Sequence, residues 1–589
     1  MTKTMSEKLR IGILFGGPSA ERENSFQWVK NALPYFDRRL FEPILLFVDP
    51  KGNFILVEPA VLTDETTHRF YPSRNLNRGF RVYLENLGVL SETQLYKLIY
   101  KIGKQVRAEE LSDHLDVAFL ALYGSEAETG QLQGLLEWHH VPYTGAGLVD
   151  SVRANNRRIL VELLKDLQPP SYHQVSVPLV QWQGEDIQSI FLTTIHTIGF
   201  PFFISNPHRA YFSHHIPIKK RSLDEFTRAM QSCFGEVNFL RRDWTKMTTR
   251  QKKHAIERIH HIEKGLIFPL LTPRGEQLDH PADVMSFLDA FFENSENVEC
   301  VLKSIKQPSE VILESYTNGQ EFFCTLLRDS EGQAHLLEPL ERIQLTEGEE
   351  HYIPMQISLA LAEELRNQVI QATAFFDQTF LIQIRGVISS NQQIRLFSVD
   401  TTPFLTEWHL TLRQVATLGF SPSQFLTYFI HRSLHQRLEA PMPTSVILPK
   451  LAVFTRRQEA VQHATQTSLG VLFEEDPEQY LLAQQKIKEV ASANFPNQHI
   501  EALCLAANGH IIRIPLPWMY LSSFELFKEI LGHKPSPEWL QVAEKFQAEI
   551  PPISSKEPAW ALERWDEQKI AQALDTLFYV GEGLEVSLD

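Results

Sequence analysis

Cysteine is scarce in this chain, with Cys233, Cys300, Cys324 and Cys504 the only four in 589 residues. They lie far apart and form no CxxC pair, which excludes a disulfide framework and a thiolate zinc site and fits a reducing compartment. Long basic runs are also missing: 56 Lys and Arg stand against 72 Asp and Glu, a formal net charge of −16. A general nucleic-acid binder needs a cationic surface that releases counterions from phosphate, so that class is set aside. The basic residues Arg241, Arg242, Lys246, Arg250, Lys252 and Lys253 read as a solvated helix face. No stretch approaches the ~18 apolar residues of a membrane span. The polar opening Met1–Arg10 and the short run Ile11–Phe15 do not make a signal peptide. The expectation is a cytoplasmic protein with neither membrane nor nucleic-acid partner.

What is present is ordinary folded sequence, 43% hydrophobic and 22% charged, and the length suggests three or four domains at roughly 100–200 residues each. The strand Ile11–Phe15 runs into Gly16-Gly17 and then a helical pattern at Phe26, Val29 and Leu33, the opening βα unit of a parallel α/β domain. Further strands are expected at Ile44–Val48 and Val117–Leu122, with a helix from Asp150 to Leu167; residues 60–105 give no clear pattern. After Pro169-Pro170 the pattern becomes α+β, with strands at Pro201–Ser205, Glu310–Glu314, Glu321–Leu327, Phe380–Ile388 and Gln393–Asp400 and helices at Asp224–Cys233 and Ala360–Phe376. Beyond Ala440-Pro441-Met442-Pro443, Lys450–Phe454 reads as a strand, and Asp476–Ala493 and Ser522–Leu531 as helices. The lead-in at 450 echoes the one at residue 10, but two strands are too few to establish a repeat.

Gly16-Gly17 after a strand lets backbone approach a ligand, and the helix start beyond it offers N–H groups to an anion. Glu21 and Glu23 could accept from an ammonium group, though acids are common in any first helical turn. His254, His260 and His261 with Glu257 and Glu263 invite a metal reading, but a charged solvated helix explains them without a third clear ligand.

The combination of stretches is more specific. Gly16-Gly17-Pro18-Ser19-Ala20-Glu21-Arg22-Glu23-Asn24-Ser25 resembles the opening of the D-alanine–D-alanine ligases, of the ATP-grasp superfamily. Ala121-Leu122-Tyr123-Gly124 through Gly130-Gln131-Leu132-Gln133-Gly134-Leu135-Leu136-Glu137 resembles that family's second block, and Val141–Gly147 with Ser151 continues it. Gly199-Phe200-Pro201, Glu314 with Gly319-Gln320-Glu321-Phe322, Val399-Asp400-Thr401-Thr402-Pro403 and Leu418-Gly419-Phe420-Ser421 follow in the family's order. The resemblance covers about residues 9–435, with an insertion near 235–300. It implies a Rossmann-like preATP-grasp domain (1–168), an ATP-grasp domain of two α+β subdomains (169–439), and an added α/β or α+β C-terminal region (440–589) of unassigned role. It further implies ATP-dependent ligation of D-alanine in peptidoglycan precursor synthesis, with ATP and Mg²⁺ as cofactors and a homodimer as the assembly.

By the same resemblance Glu21, with Gly16 and Gly17, positions the first D-alanine; Arg157 stands for a phosphate-contacting lysine; and Glu314 and Glu321 hold adenine and ribose. Other parts are replaced. Ser205 stands where the second nucleotide lysine is expected, no glycine lies between Gly199 and Gly235 to form a phosphate loop, and Tyr123 replaces a histidine. Of the metal carboxylates only Asp400 remains, with Ser398 and Arg385 at the other two positions, a poor set for hard Mg²⁺. Gln383 replaces an oxyanion-steadying arginine, Phe404 a glycine, and the lid shrinks to the acidic Thr346–Tyr352. Trp408-His409, near the expected second D-alanine, reads as packing. The expectation is therefore a ligase-family protein with catalysis lost or severely impaired, a pseudoenzyme candidate. The alternatives are a binding or scaffold protein that meets a protein partner through residues 440–589, and a ligase with a rewired site and another substrate.

Overall fold

The computed structural model describes residues 8–18, 21–64, 67, 78–80, 82–122, 124, 128–205, 216–260, 266, 268–294, 298–344, 350–402, 408–416, 418–462, 467–492, 498–520, 524, 527–528, 541–542, 544–546 and 562–588. Its first strand, β1 (Leu9–Gly16), carries apolar side chains toward both faces, and Ile11, Ile13, Leu14 and Phe15 are all buried. Such a run belongs inside a parallel sheet covered on both sides. It lies parallel to β2 (Phe41–Val48) and to β5 (Val117–Leu120), while β3 (Phe54–Leu56) and β4 (Lys104–Val106) continue the sheet antiparallel in the order β4-β3-β2-β1-β5. The helix Arg22–Ala32 crosses between β1 and β2, burying Phe26 and Val29 against the sheet.

The chain then forms β6 (Gln174–Pro178), β7 (Phe202–Ser205) and β8 (Ile216–Ile218), and leaves for an inserted unit of β9 (Glu236–Leu240), β10 (Leu270–Leu271), β11 (Gln277–Leu278) and β12 (Glu299–Ser304). That unit has its own sheet and its own core, built around Trp244, Ile256, Leu288 and Phe292. β13 (Glu310–Ser315) returns to pair antiparallel with both β6 and β7. A six-stranded antiparallel sheet follows from β14 (Gly319–Arg328), β15 (Ala334–Leu336), β16 (Leu340–Gln344), β17 (Glu350–Pro354), β18 (Leu381–Ser389) and β19 (Ile394–Asp400), covered by the helix Leu359–Thr373. The last sheet comprises β20 (Thr467–Glu474), β21 (Gln498–Leu505), β22 (Ile511–Ile514), β23 (Glu563–Trp565), β24 (Thr576–Tyr579) and β25 (Leu584–Ser587). The mixed α/β and α+β architecture is the one expected.

Three local expectations need correction. Lys450–Phe454 is not a strand but lies inside the helix Thr444–Gln462. Its apolar residues were there to show this, since Ile447, Leu451 and Phe454 recur at spacings of four and three and are all buried. The helix expected over Asp150–Leu167 is two helices, Leu148–Asn155 and Arg157–Leu164, because the Asn156 side chain accepts from Ile159 N–H and starts a new helix. The unpatterned stretch contains the helix Glu92–Ile102, opened by a capping box in which Ser91 and Gln94 exchange hydrogen bonds. Most of Ser522–Leu531 lies outside the described residues. All four cysteines are free and buried, and among the described residues no helix is long and apolar enough to cross a membrane.

Candidate active site

At the carboxyl end of β1 the backbone turns through Gly16 and Gly17, with φ of +93° and +91°. A Cβ on Gly16 would lie 2.5 Å from the Phe47 ring and 2.7 Å from the Val48 carbonyl, so glycine is required by both conformation and space. Gly17 N–H donates to Val48 O at 2.7 Å, and Gly16 N–H donates to Ser25 Oγ at 2.8 Å. Ser25 in turn donates to Ala121 O at 2.5 Å, tying the turn to the end of β5. Ser25 is fully buried. Ser25→Ala strands one N–H and one carbonyl, and is expected to cost about 1–3 kcal/mol, measurable by urea denaturation. Glu21 sits at the N-cap of the helix Arg22–Ala32 but makes no capping hydrogen bond with its side chain.

A residue not singled out from the sequence completes this corner. Glu128, inside the second quoted block, is buried close to Glu21 and Asp400. Burial, then the Asp400 and Glu21 carboxylates, hold its pKa well above the usual carboxylate range. The Thr402 hydroxyl lies 3.1 Å from Glu128 Oε1 and 3.2 Å from Asp400 Oδ1, and Thr402 N–H donates to Asp400 at 2.7 Å. Three carboxyl groups from distant parts of the chain thus converge. The signal that could have found Glu128 is its place in the glycine-flanked block between Gly124 and Gly130.

The residues assigned to a nucleotide are arranged differently from the expectation. Glu314, on β13, is 1% exposed and forms an ion pair with Arg157, the first residue of the helix Arg157–Leu164. Tyr172 donates to the same carboxylate, and Arg395 from β19 lies 3.6 Å from it. The Arg395 guanidinium also stacks 4.5 Å over the Tyr172 ring. Burial opposes the Arg157 charge, but Glu314 and Tyr172 outweigh it and raise its pKa; burial lowers that of Arg395. Two residues expected at opposite ends of one ligand are therefore bonded to each other. Glu321 lies across the junction of two sheets from Glu314, on β14, where it pairs with Arg342 at 2.8 Å and is part-exposed. Gly319 permits that junction, since a Cβ there would fall 2.0 Å from Ile388 O.

The metal positions are set by strand register. Gln383 pairs with Asp400 and Arg385 with Ser398 across β18 and β19. The Arg385 guanidinium stacks 4.5 Å over Phe323, and Gln383 is buried with its amide 3.2 Å from Thr325 Oγ1. Among the described residues no three His, Cys, Asp or Glu side chains are placed to hold a metal ion. One carboxylate already bonded to Thr402 N–H, with a guanidinium on the neighbouring strand, does not fit Mg²⁺. Ser205 is buried and donates to Ile312 O at 3.2 Å, so it is spent on the sheet. Residues 206–215, Tyr123, Pro403, Phe404 and the lid residues Thr346–Glu349 lie outside the described residues, as do His261 and Glu263. His260 is buried with Nδ1 2.9 Å from Ile256 O, an ordinary packing role.

Residues 10–146, which contain the glycine turn, Glu21 and Glu128, match the family model for the D-ala D-ala ligase N-terminus. Through this region the chain is similar to the D-alanine–D-alanine ligases. It is 28% identical over 199 residues to D-alanine–D-alanine ligase A of Chromobacterium violaceum, covering 33% of this chain and 50% of that one. It is likewise 28% identical over 200 residues to the D-alanine–D-alanine ligase of Natranaerobius thermophilus, covering 34% and 50%. The chain thus spans about half the length of these curated relatives. Among solved structures, D-alanyl-alanine synthetase A from Vibrio cholerae covers 73% of this chain and 99% of its own, at 14% identity and a TM-score of 0.45.

Proposed function

We propose that this chain is a member of the D-alanine–D-alanine ligase family that has lost or severely impaired metal-dependent ligation and works as a binding protein built on the ligase fold. The observation that carries this reading is the closed cluster Arg157–Glu314–Tyr172–Arg395. Arg157, Tyr172 and Arg395 all converge on Glu314 Oε1, and Arg157, tied to Glu314 and the Phe397 carbonyl, is not poised over a phosphate. The metal side supports the same reading: Ser398 and Arg385 cannot bridge Mg²⁺ to phosphate oxygens. Without such a bridge the charge of a phosphoryl transfer goes unneutralised. No step through ATP or Mg²⁺ is derived for these residues.

What survives is the amino-acid side. The glycine turn and the Glu21–Glu128–Asp400 corner favour the ammonium group of a small zwitterion. A buried carboxylate with two more beside it gains most from a cation placed among them. The ligand class proposed is D-alanine or a similar amino acid, in keeping with the peptidoglycan chemistry of the family; residues 440–589 are proposed as the surface for a protein partner.

Isothermal titration with ATP, with and without Mg²⁺, tests the nucleotide side. The expected result is weak or absent binding that Mg²⁺ does not tighten. Tightening by roughly tenfold or more, about 1.4 kcal/mol, would show a working metal–phosphate site and favour the rewired ligase instead.

A further inference from the structure

We infer that residues 467–588 are a second copy of the domain built by residues 9–121, with its ligand turn closed by its own carboxylates. The family match stops at residue 146, so nothing in it assigns this region. The evident echo of residue 10 is not at residue 450, which is helical, but at residue 467.

The two sheets share order, direction and register. β20 is parallel to β21 over eight residue pairs, as β1 is to β2, and parallel to β24 over four pairs, as β1 is to β5. β21 then folds back onto β22, and β22 onto β23, both antiparallel, as β2 folds onto β3 and β3 onto β4. One helix joins the first two strands in each, Arg22–Ala32 in one and Pro477–Ser492 in the other. Connections of similar length, residues 57–103 and 515–562, precede the fourth strand.

Individual bonds repeat at corresponding positions. Arg10 N–H donates to Asp116 Oδ2 at 2.9 Å and Asp116 N–H to Arg10 O at 2.8 Å; Ser468 N–H donates to Asp575 Oδ2 at 2.6 Å and Asp575 N–H to Ser468 O at 2.9 Å. Ala121 N–H to Leu14 O and Val580 N–H to Leu472 O are both 2.9 Å. The hairpin bonds Asp49 N–H to Asn53 O and Gly52 N–H to Asp49 O recur as Ala506 to His510 and Gly509 to Ala506, with Gly52 and Gly509 both at positive φ. A Cβ on Gly12 would fall 2.4 Å from Leu115, and one on Gly470 would fall 2.4 Å from Leu574. Leu115-Asp116 and Leu574-Asp575 each lead into the fifth strand of their copy. A shared α/β topology alone does not fix a carboxylate, a glycine and a leucine at the same register points.

The copies part at the turn. Gly16-Gly17-Pro18 corresponds to Glu474-Glu475-Asp476, and Gly17 N–H to Val48 O corresponds to Glu475 N–H to Leu505 O at 3.1 Å. Asp476 accepts from Glu478 and Gln479 N–H, capping its own helix, while Glu475 accepts from Ala507 N–H. Groups that could receive an anionic ligand are used internally, so the turn of the second copy is closed to such a ligand. It packs on the first, with Tyr520 edge-on to Tyr35 at 5.7 Å. Each long connection docks away from its own sheet. In the first copy Arg78 pairs with Asp283 of the inserted unit at 2.7 Å; in the second Lys545 reaches Asp329 at 2.7 Å and Phe546 is buried beside His335.

Two measurements on the full chain test this. In matched double-mutant cycles, Gly12→Ala and Gly470→Ala each lower the melting temperature, and each loss is smaller when Leu115→Ala or Leu574→Ala, respectively, is already present. Independent costs at Gly470 and Leu574 would overturn the equivalence. An experimental structure should superpose residues 467–474, 498–505 and 576–579 on 9–16, 41–48 and 117–120 in that register. A shifted register, or β24 on the other edge of β20, would overturn the inference even if the variants fail to fold.

Discussion

Glu314→Ala destabilises the protein by about 3–5 kcal/mol, while Glu321→Ala costs about 0–1 kcal/mol. The contrast follows from burial. Removing Glu314 leaves Arg157 and Arg395 in the interior, 9% and 4% exposed, without the anion that both face. A guanidinium cannot shed its proton to escape, so the desolvation cost stands. Tyr172 also loses the shorter of its two hydroxyl acceptors, keeping only Gln174 Oε1 at 3.4 Å. Glu321 belongs to a half-exposed pair with Arg342, where water replaces either partner. Urea denaturation of both variants distinguishes two roles for Glu314. If Glu314 served mainly to hold a ligand, its loss would abolish binding and barely change stability; a large stability loss marks a group that holds three elements of the fold together.

Glu128→Gln stabilises the protein at neutral pH and removes part of its pH dependence. The Glu128 carboxyl has a folded pKa above its unfolded one, so the native state holds the proton more tightly. Stability therefore falls as pH rises from the unfolded value near 4.3 toward the folded value, and is level above it. Glu128→Gln has no such proton to lose and escapes that fall, so the variant is the more stable of the two at pH 7. Denaturation curves between pH 4 and 8 check this, and a variant with the native slope would contradict the coupling. Should a bound amino acid supply its ammonium group to this corner, the native protein should gain more from that ligand than Glu128→Gln does.

Much of the first domain is legible in the sequence because its signals are local. An apolar run ending in two glycines allows few alternatives, and β1, β2 and β5 form where the residues place them. Glu21 and Asp400 stand out in the sequence through their motifs, yet their neighbour Glu128 does not. What sets Glu128 apart is burial between two other carboxylates, a relation among residues 21, 128 and 400 that no window contains. The pairing of Arg157 with Glu314 was hidden for the same reason: each was identified by its own stretch, and only folding shows that one satisfies the other. The helix over Lys450–Phe454 was masked by strand-favouring residue types, although its period was helical. The duplicated domain was obscured because the glycine pair that marks the first copy is replaced by acids in the second, while the bonds that survive involve backbone atoms.

The most direct test of the central claim is phosphate release from Mg·ATP by the purified protein, with and without D-alanine and other amino acids. A Glu21→Gln/Asp400→Asn variant purified alongside reports any contaminating ATPase. The account predicts release no greater than that of the variant under every condition. Release that depends on an amino acid and disappears in the variant would contradict it, and the best amino acid would identify the substrate of an active ligase.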